Sequence, residues 1–103
     1  MRECLESPRE QSPDEAIAYS VTTTPWGSSP GTIVLVVWDI TDGNNPVDVT
    51  SSVTTGANSA SGDVITTKRI GSLTVAHSYR VDVKFTDGNS NTFECFFVLH
   101  CRD

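Results

Sequence analysis

Positive charge is what this sequence has least of. Seven Lys and Arg stand against thirteen Asp and Glu, giving a formal net charge of −6 at pH 7. Phosphate backbones are held by clustered Lys and Arg. Here the basic residues are scattered, so nucleic acid is not an expected partner. Long apolar runs are missing too. The longest, Ile33 to Trp38, falls far short of the roughly 20 residues a spanning helix needs, and no membrane partner is expected. Met1-Arg2-Glu3-Cys4 opens a polar, acidic segment rather than a charged-then-apolar leader, which points to synthesis in a cytoplasm. Helix formers become scarce after residue 18, and β-branched residues dominate instead.

Motifs that carry chemistry are equally scarce. No CxxC or HxxxH occurs, and zinc wants four ligands at such spacings. There is no G-x-S-x-G elbow and no Gly-rich phosphate cradle. His100 and Cys101 are neighbours on a strand and so point to opposite faces, which rules out a dyad. Asp39, Asp42, Asn44 and Asp48 bring oxygen ligands to one loop, as calcium requires, but turn chemistry explains the same residues. No catalytic residue, cofactor or metal is expected. Three cysteines do not close a disulfide framework. Cys95 and Cys101 share a strand, roughly 20 Å apart at about 3.3 Å per residue. Cys4 is within reach of Cys101 only through a mobile arm, and free thiols are the default in a cytoplasm.

What is present is strand pattern. His77, Tyr79, Val81, Val83 and Phe85 alternate with Ser78, Arg80, Asp82, Lys84 and Thr86, the period of two that puts one face in a core. Asp87-Gly88-Asn89-Ser90 supplies a turn, and Phe93, Cys95, Phe97 and Leu99 share a face on the return. Earlier, Ile17, Tyr19 and Val21 alternate with Ala18, Ser20 and Thr22. Thr32 to Ile40 is apolar on both faces, with Ile33, Leu35 and Val37 on one and Val34, Val36 and Trp38 on the other. Val47 to Thr55 reads as a polar strand, residues 56–62 as a loop, and Asp63 to Ile70 as an edge strand guarded by Lys68 and Arg69. Leu73 and Tyr79 have the spacing of a tyrosine corner. Six or seven short strands with frequent turns make a sandwich or a small barrel.

Residues 1–15 hold two prolines and mostly polar side chains, too little apolar surface to order alone. They are expected to be a flexible arm, or one that docks on a neighbouring subunit, with the domain proper at 16–103. A monomer seldom exposes large apolar patches. The doubled apolar faces therefore predict a subunit interface through Val34, Val36 and Trp38, joined by Phe96 and Val98, with Leu5 from the arm and Trp26 from a Pro/Gly-rich loop.

The order of features resembles the immunoglobulin-like fiber–tail adaptor family of tailed bacteriophages. The residues that carry the resemblance are Pro13-Asp14-Glu15 with Tyr19, then Thr32-Ile33 with Trp38, the Ser/Thr-rich Val49 to Thr55, Tyr79-Arg80-Val81, Asp87-Gly88-Asn89, and Thr92-Phe93. It spans residues 13–101 as a match of layout. It implies an all-β fold, an immunoglobulin-like antiparallel β-sandwich of six to seven strands with an extended N-terminal arm. It implies a non-enzymatic virion structural protein at the neck, tail or head surface, made in the host cytoplasm. The expected partners are other virion proteins and copies of itself in a symmetric assembly. The alternative is a carbohydrate- or cell-surface-binding module, with Trp26 stacked on a sugar.

Overall fold

The computed structural model describes residues 2–4, 6–24, 26 and 29–102. Two sheets face each other across one core. The larger is built on a long antiparallel hairpin, β9 (Ser78–Thr86) and β10 (Thr92–Cys101). On the other side of β9 lies β4 (Gly31–Asp39), edged at its far end by β5 (Val47–Asp48). The smaller sheet sets β8 (Val64–Ile70) between β3 (Ile17–Thr22) and the short strands β6 (Thr54–Thr55) and β7 (Ser59–Ser61). Read along the chain, this is the order of an immunoglobulin-like sandwich, with its C, F and G strands in one sheet and B, E and D in the other.

The inward residues make the core. Val21, Val37, Ile65, Ile70, Val81, Val83, Phe85, Phe97 and Leu99 are buried from both sheets. Tyr19 tilts against Phe97 with centroids 5.3 Å apart. The tyrosine corner expected from spacing is formed: the Thr74 amide donates to Tyr79 Oη at 2.9 Å. At the hairpin tip, Asp87 Oδ1 accepts from the amides of Asn89 (2.9 Å) and Asn91 (2.8 Å). The positive φ there falls on Ser90 rather than on Gly88.

The structure corrects several expectations. Residues 1–15 were expected to float or to lie on a neighbour. Instead β1 (Arg2–Glu3) and β2 (Arg9–Gln11) run parallel along β10 of the same chain. Glu3 and Arg9 are six positions apart while their partners Phe96 and Leu99 are only three apart, so the arm bulges between the two strands. The Val98 amide, left over by that bulge, donates to Ser7 Oγ at 3.0 Å. The arm thereby covers the edge of β10, a row of backbone groups that would otherwise invite pairing with other chains.

Gln11 anchors the arm from inside. Its Nε2 donates to the carbonyls of Ile70 (2.7 Å) and Glu15 (2.8 Å), and its Oε1 accepts from Tyr19 Oη at 2.6 Å. Glu6 adds a second tie to the smaller sheet, accepting from Thr22 Oγ1 at 2.8 Å.

Val47 to Thr55 is not one strand. Asp48 Oδ1 takes the amide and hydroxyl of Thr50 (3.0 and 2.7 Å), and the chain turns into a four-residue helix, α1 (Thr50–Val53). Such local side-chain bonds compete with the sheet ladder. Lys68 and Arg69 do not guard an edge either, since β8 is central: Arg69 pairs with Ala18 on one side and Thr55 on the other. The small-residue loop at 56–62 contains β7, turned back onto β8 through Gly62 at φ 59°.

Candidate docking face

The register of β4 on β9 fixes which of its two apolar sides is internal. Leu35 and Val37 point into the core, while Val34, Val36 and Trp38 point outward. Outward neighbours follow from strand pairing. Val34 sits beside Lys84, Val36 beside Asp82 and Trp38 beside Arg80. Across β9, Glu94 lies beside Lys84, Phe96 beside Asp82 and Val98 beside Arg80. The face is thus three rows: an apolar one on β4, a row of alternating charge on β9, and a mixed one on β10.

Val34 is 48% exposed, whereas Val36, Trp38, Phe96 and Val98 are half-buried. Val34, Val36 and Trp38, with Asp82, Lys84 and Glu94, line a groove of about 160 Å³. Five of the seven residues expected to bind a partner therefore lie on one sheet face.

The charges there are tied down. Trp38 Nε1 donates to Asp82 Oδ2 at 3.1 Å, and Arg80 Nη2 donates to the same oxygen at 3.3 Å. Arg80 Nε also comes within 2.9 Å of Asp82 Oδ1, an ion contact without the alignment of a hydrogen bond. Burial pushes the Asp82 carboxyl above the usual carboxylate range, and the Arg80 guanidinium and Trp38 only partly oppose it. Arg80 and Lys84 cancel Asp82 and Glu94, while Asp48, paired with Trp38, and Glu3, paired with Phe96, leave the face acidic.

One expected contact lies elsewhere. Trp26 is half-buried and packs against the core, so it neither lines the groove nor stands free for a sugar. Leu5 falls outside the described residues. Val47, 51% exposed on β5, went unnoticed in the sequence because it reads as part of a polar strand.

The polar clusters act locally. A cleft of about 510 Å³ near the end of the hairpin holds His77, Ser78 and His100. Ser78 Oγ is 3.0 Å from His100 Nδ1, and Asp39 Oδ2 is 2.7 Å from His77 Nδ1. The two pairs use different histidines, so no Ser-His-Asp relay forms from them. Burial pushes the Asp39 carboxyl up, but hydrogen bonds from Thr41 and His77 outweigh it and hold the group below its usual range. Asp39, Asp42 and Asp48 each accept from the backbone amide two residues on, as Asx turns do. Among the described residues no group of three or more His, Cys, Asp or Glu is placed to hold a metal ion. No helix among them is long and apolar enough to cross a membrane.

No protein-family model, curated protein or solved structure matches this chain.

Proposed function

We propose that this chain is a non-enzymatic virion structural protein, a neck or tail adaptor or a head decoration, that docks on a neighbouring subunit through the outer face of its larger sheet. The observation that carries the reading is the outward row Val34, Val36 and Trp38, Val34 exposed and the other two half-buried along one groove. Burying a large apolar side chain contributes on the order of 1.5–3 kcal/mol, so three in one row are a sizeable share of an interface.

The edge of β4 adds to this. Among the described residues β5 pairs only with Trp38 and Asp39, so the stretch from Gly31 to Val36 is open to an added strand. The arm, committed to its own β10, is left out of the docking. The resemblance of layout supplies the virion setting. Repetition around a symmetric assembly then makes modest contacts stable.

Virions purified from the source of this chain are the test. The chain should be found in them at a fixed ratio to the other structural proteins, and Val34→Glu should leave it behind in the soluble fraction. A chain absent from particles, or one incorporated equally well with that substitution, overturns the reading.

A further inference from the structure

The arm brings a thiol to the inner side of β10. Arg2 pairs with Cys95 and Glu3 with Phe96, and the Cys4 amide donates to the Phe96 carbonyl at 2.6 Å. Cys4 and Cys95 both face inward and are 3% and 0% exposed, with Cys4 on the diagonal from Cys95 in the parallel register. Both thiols are reduced. The neighbouring Cys95 thiol and then burial push the Cys4 thiol up, while Cys4 in turn holds Cys95 below its usual value. Cys101 is excluded from such a pair with Cys95. It lies six residues along the same unbroken strand, about 20 Å away, and is paired across the sheet with Gln11. The same register keeps Cys4 away from Cys101, the alternative that a mobile arm had left open beside free thiols.

We propose that Cys4 and Cys95 are an oxidation site, where a disulfide ties the N-terminal segment to the last strand. Diagonal neighbours on adjacent strands lie about 7–8 Å apart at Cα, and a disulfide spans about 4.4–6.8 Å. Closure draws Cys4 in by ~1 Å, and Cys4 stands just past a two-residue strand, where the backbone can give.

The oxidant is a low-molecular-weight disulfide such as oxidised glutathione. When β1 lifts, the Cys95 thiolate attacks one glutathione sulfur. The glutathione S–S bond breaks, one glutathione leaves as a thiolate and is protonated, and Cys95 carries the other as a mixed disulfide. Cys4 then attacks the Cys95 sulfur. The protein S–S bond forms, and the second glutathione departs with the proton from Cys4. Two protein thiols are oxidised and one glutathione disulfide is reduced to two thiols.

The reduced full chain, incubated with oxidised glutathione and then alkylated under denaturing conditions, tests this. One alkylated cysteine, Cys101, is expected, together with a peptide joining Cys4 to Cys95. Because the bond closes a loop of some 90 residues, the thermal midpoint should rise by about 20 °C, less any strain of closure, and fall back with dithiothreitol. Cys101→Ser should close the same bond, and Cys4→Ser should close none. Three alkylated thiols, a stable glutathione adduct on the full chain, a bond in Cys4→Ser, or a linked peptide containing Cys101 each overturn the proposal.

Discussion

Tyr19 donates a 2.6 Å hydrogen bond to Gln11 Oε1, a contact that helps join the N-terminal segment to the opposite sheet. Gln11 is 2% exposed and its amide nitrogen is spent on two carbonyls, so every polar atom of its side chain is satisfied in the interior. A buried amide of this kind contributes little net stability while intact and costs a great deal when one side is removed. Gln11→Leu leaves the Tyr19 hydroxyl and the Ile70 carbonyl without partners. Urea denaturation should show a loss of about 3 kcal/mol. The neighbouring Glu10→Ala removes only a 3.5 Å contact with Arg102, both side chains being 65% exposed, and should cost less than about 0.5 kcal/mol. Equal losses from the two would show that the arm is not held from within.

The same pair sets an alkaline limit. Burial, and after it the negative charge of Glu15, push the Tyr19 hydroxyl from 10.0 up to about 12. The folded state therefore holds this proton more tightly than the unfolded chain does. Its contribution is complete below pH 10 and is lost as pH climbs through about 12. Stability measured between those values should fall more steeply for the natural chain than for Tyr19→Phe. Parallel curves would mean that Tyr19 titrates as if exposed.

The tyrosine corner makes a smaller demand. Tyr79→Phe keeps the ring in the core and deletes the acceptor for the Thr74 amide. Water reaches that exposed residue, so the cost should be about 1 kcal/mol, read as a lower urea midpoint at unchanged slope. A change in slope would mean that the loop before β9 had come apart.

These residues differ in how readable they were. Tyr79 announces itself, because a strand of period two starts there and Leu73 stands upstream at the right distance. Gln11 does not, because its partners Tyr19, Glu15 and Ile70 become neighbours only once the segment lies along β10. Composition speaks of what a segment can bury by itself, and the arm is ordered by an edge some ninety positions away. The phase of β4 was hidden for a related reason. Both its faces are apolar, and only the register on β9 decides that Leu35 and Val37 go in. The helical turn at Thr50 was set by Asp48 capturing Thr50, a local bond that β propensity does not register.

That outward phase of β4 gives the sharpest test of the docking face. Val34 is 48% exposed and Val37 fully buried, though they are three residues apart on one strand. Val34→Glu should leave the isolated protein within about 0.5 kcal/mol of its natural stability. Docking should nonetheless weaken by tenfold or more, since each 1.4 kcal/mol lost is a factor of ten. Val37→Ala should do the reverse, lowering stability by about 2 kcal/mol through the cavity it opens while sparing whatever fraction stays folded. Salt separates the driving forces. With the chain acidic overall, added salt screens repulsion between like-charged bodies and should strengthen docking between them. If salt weakens docking instead, paired charges rather than the Val34–Trp38 row hold the complex together.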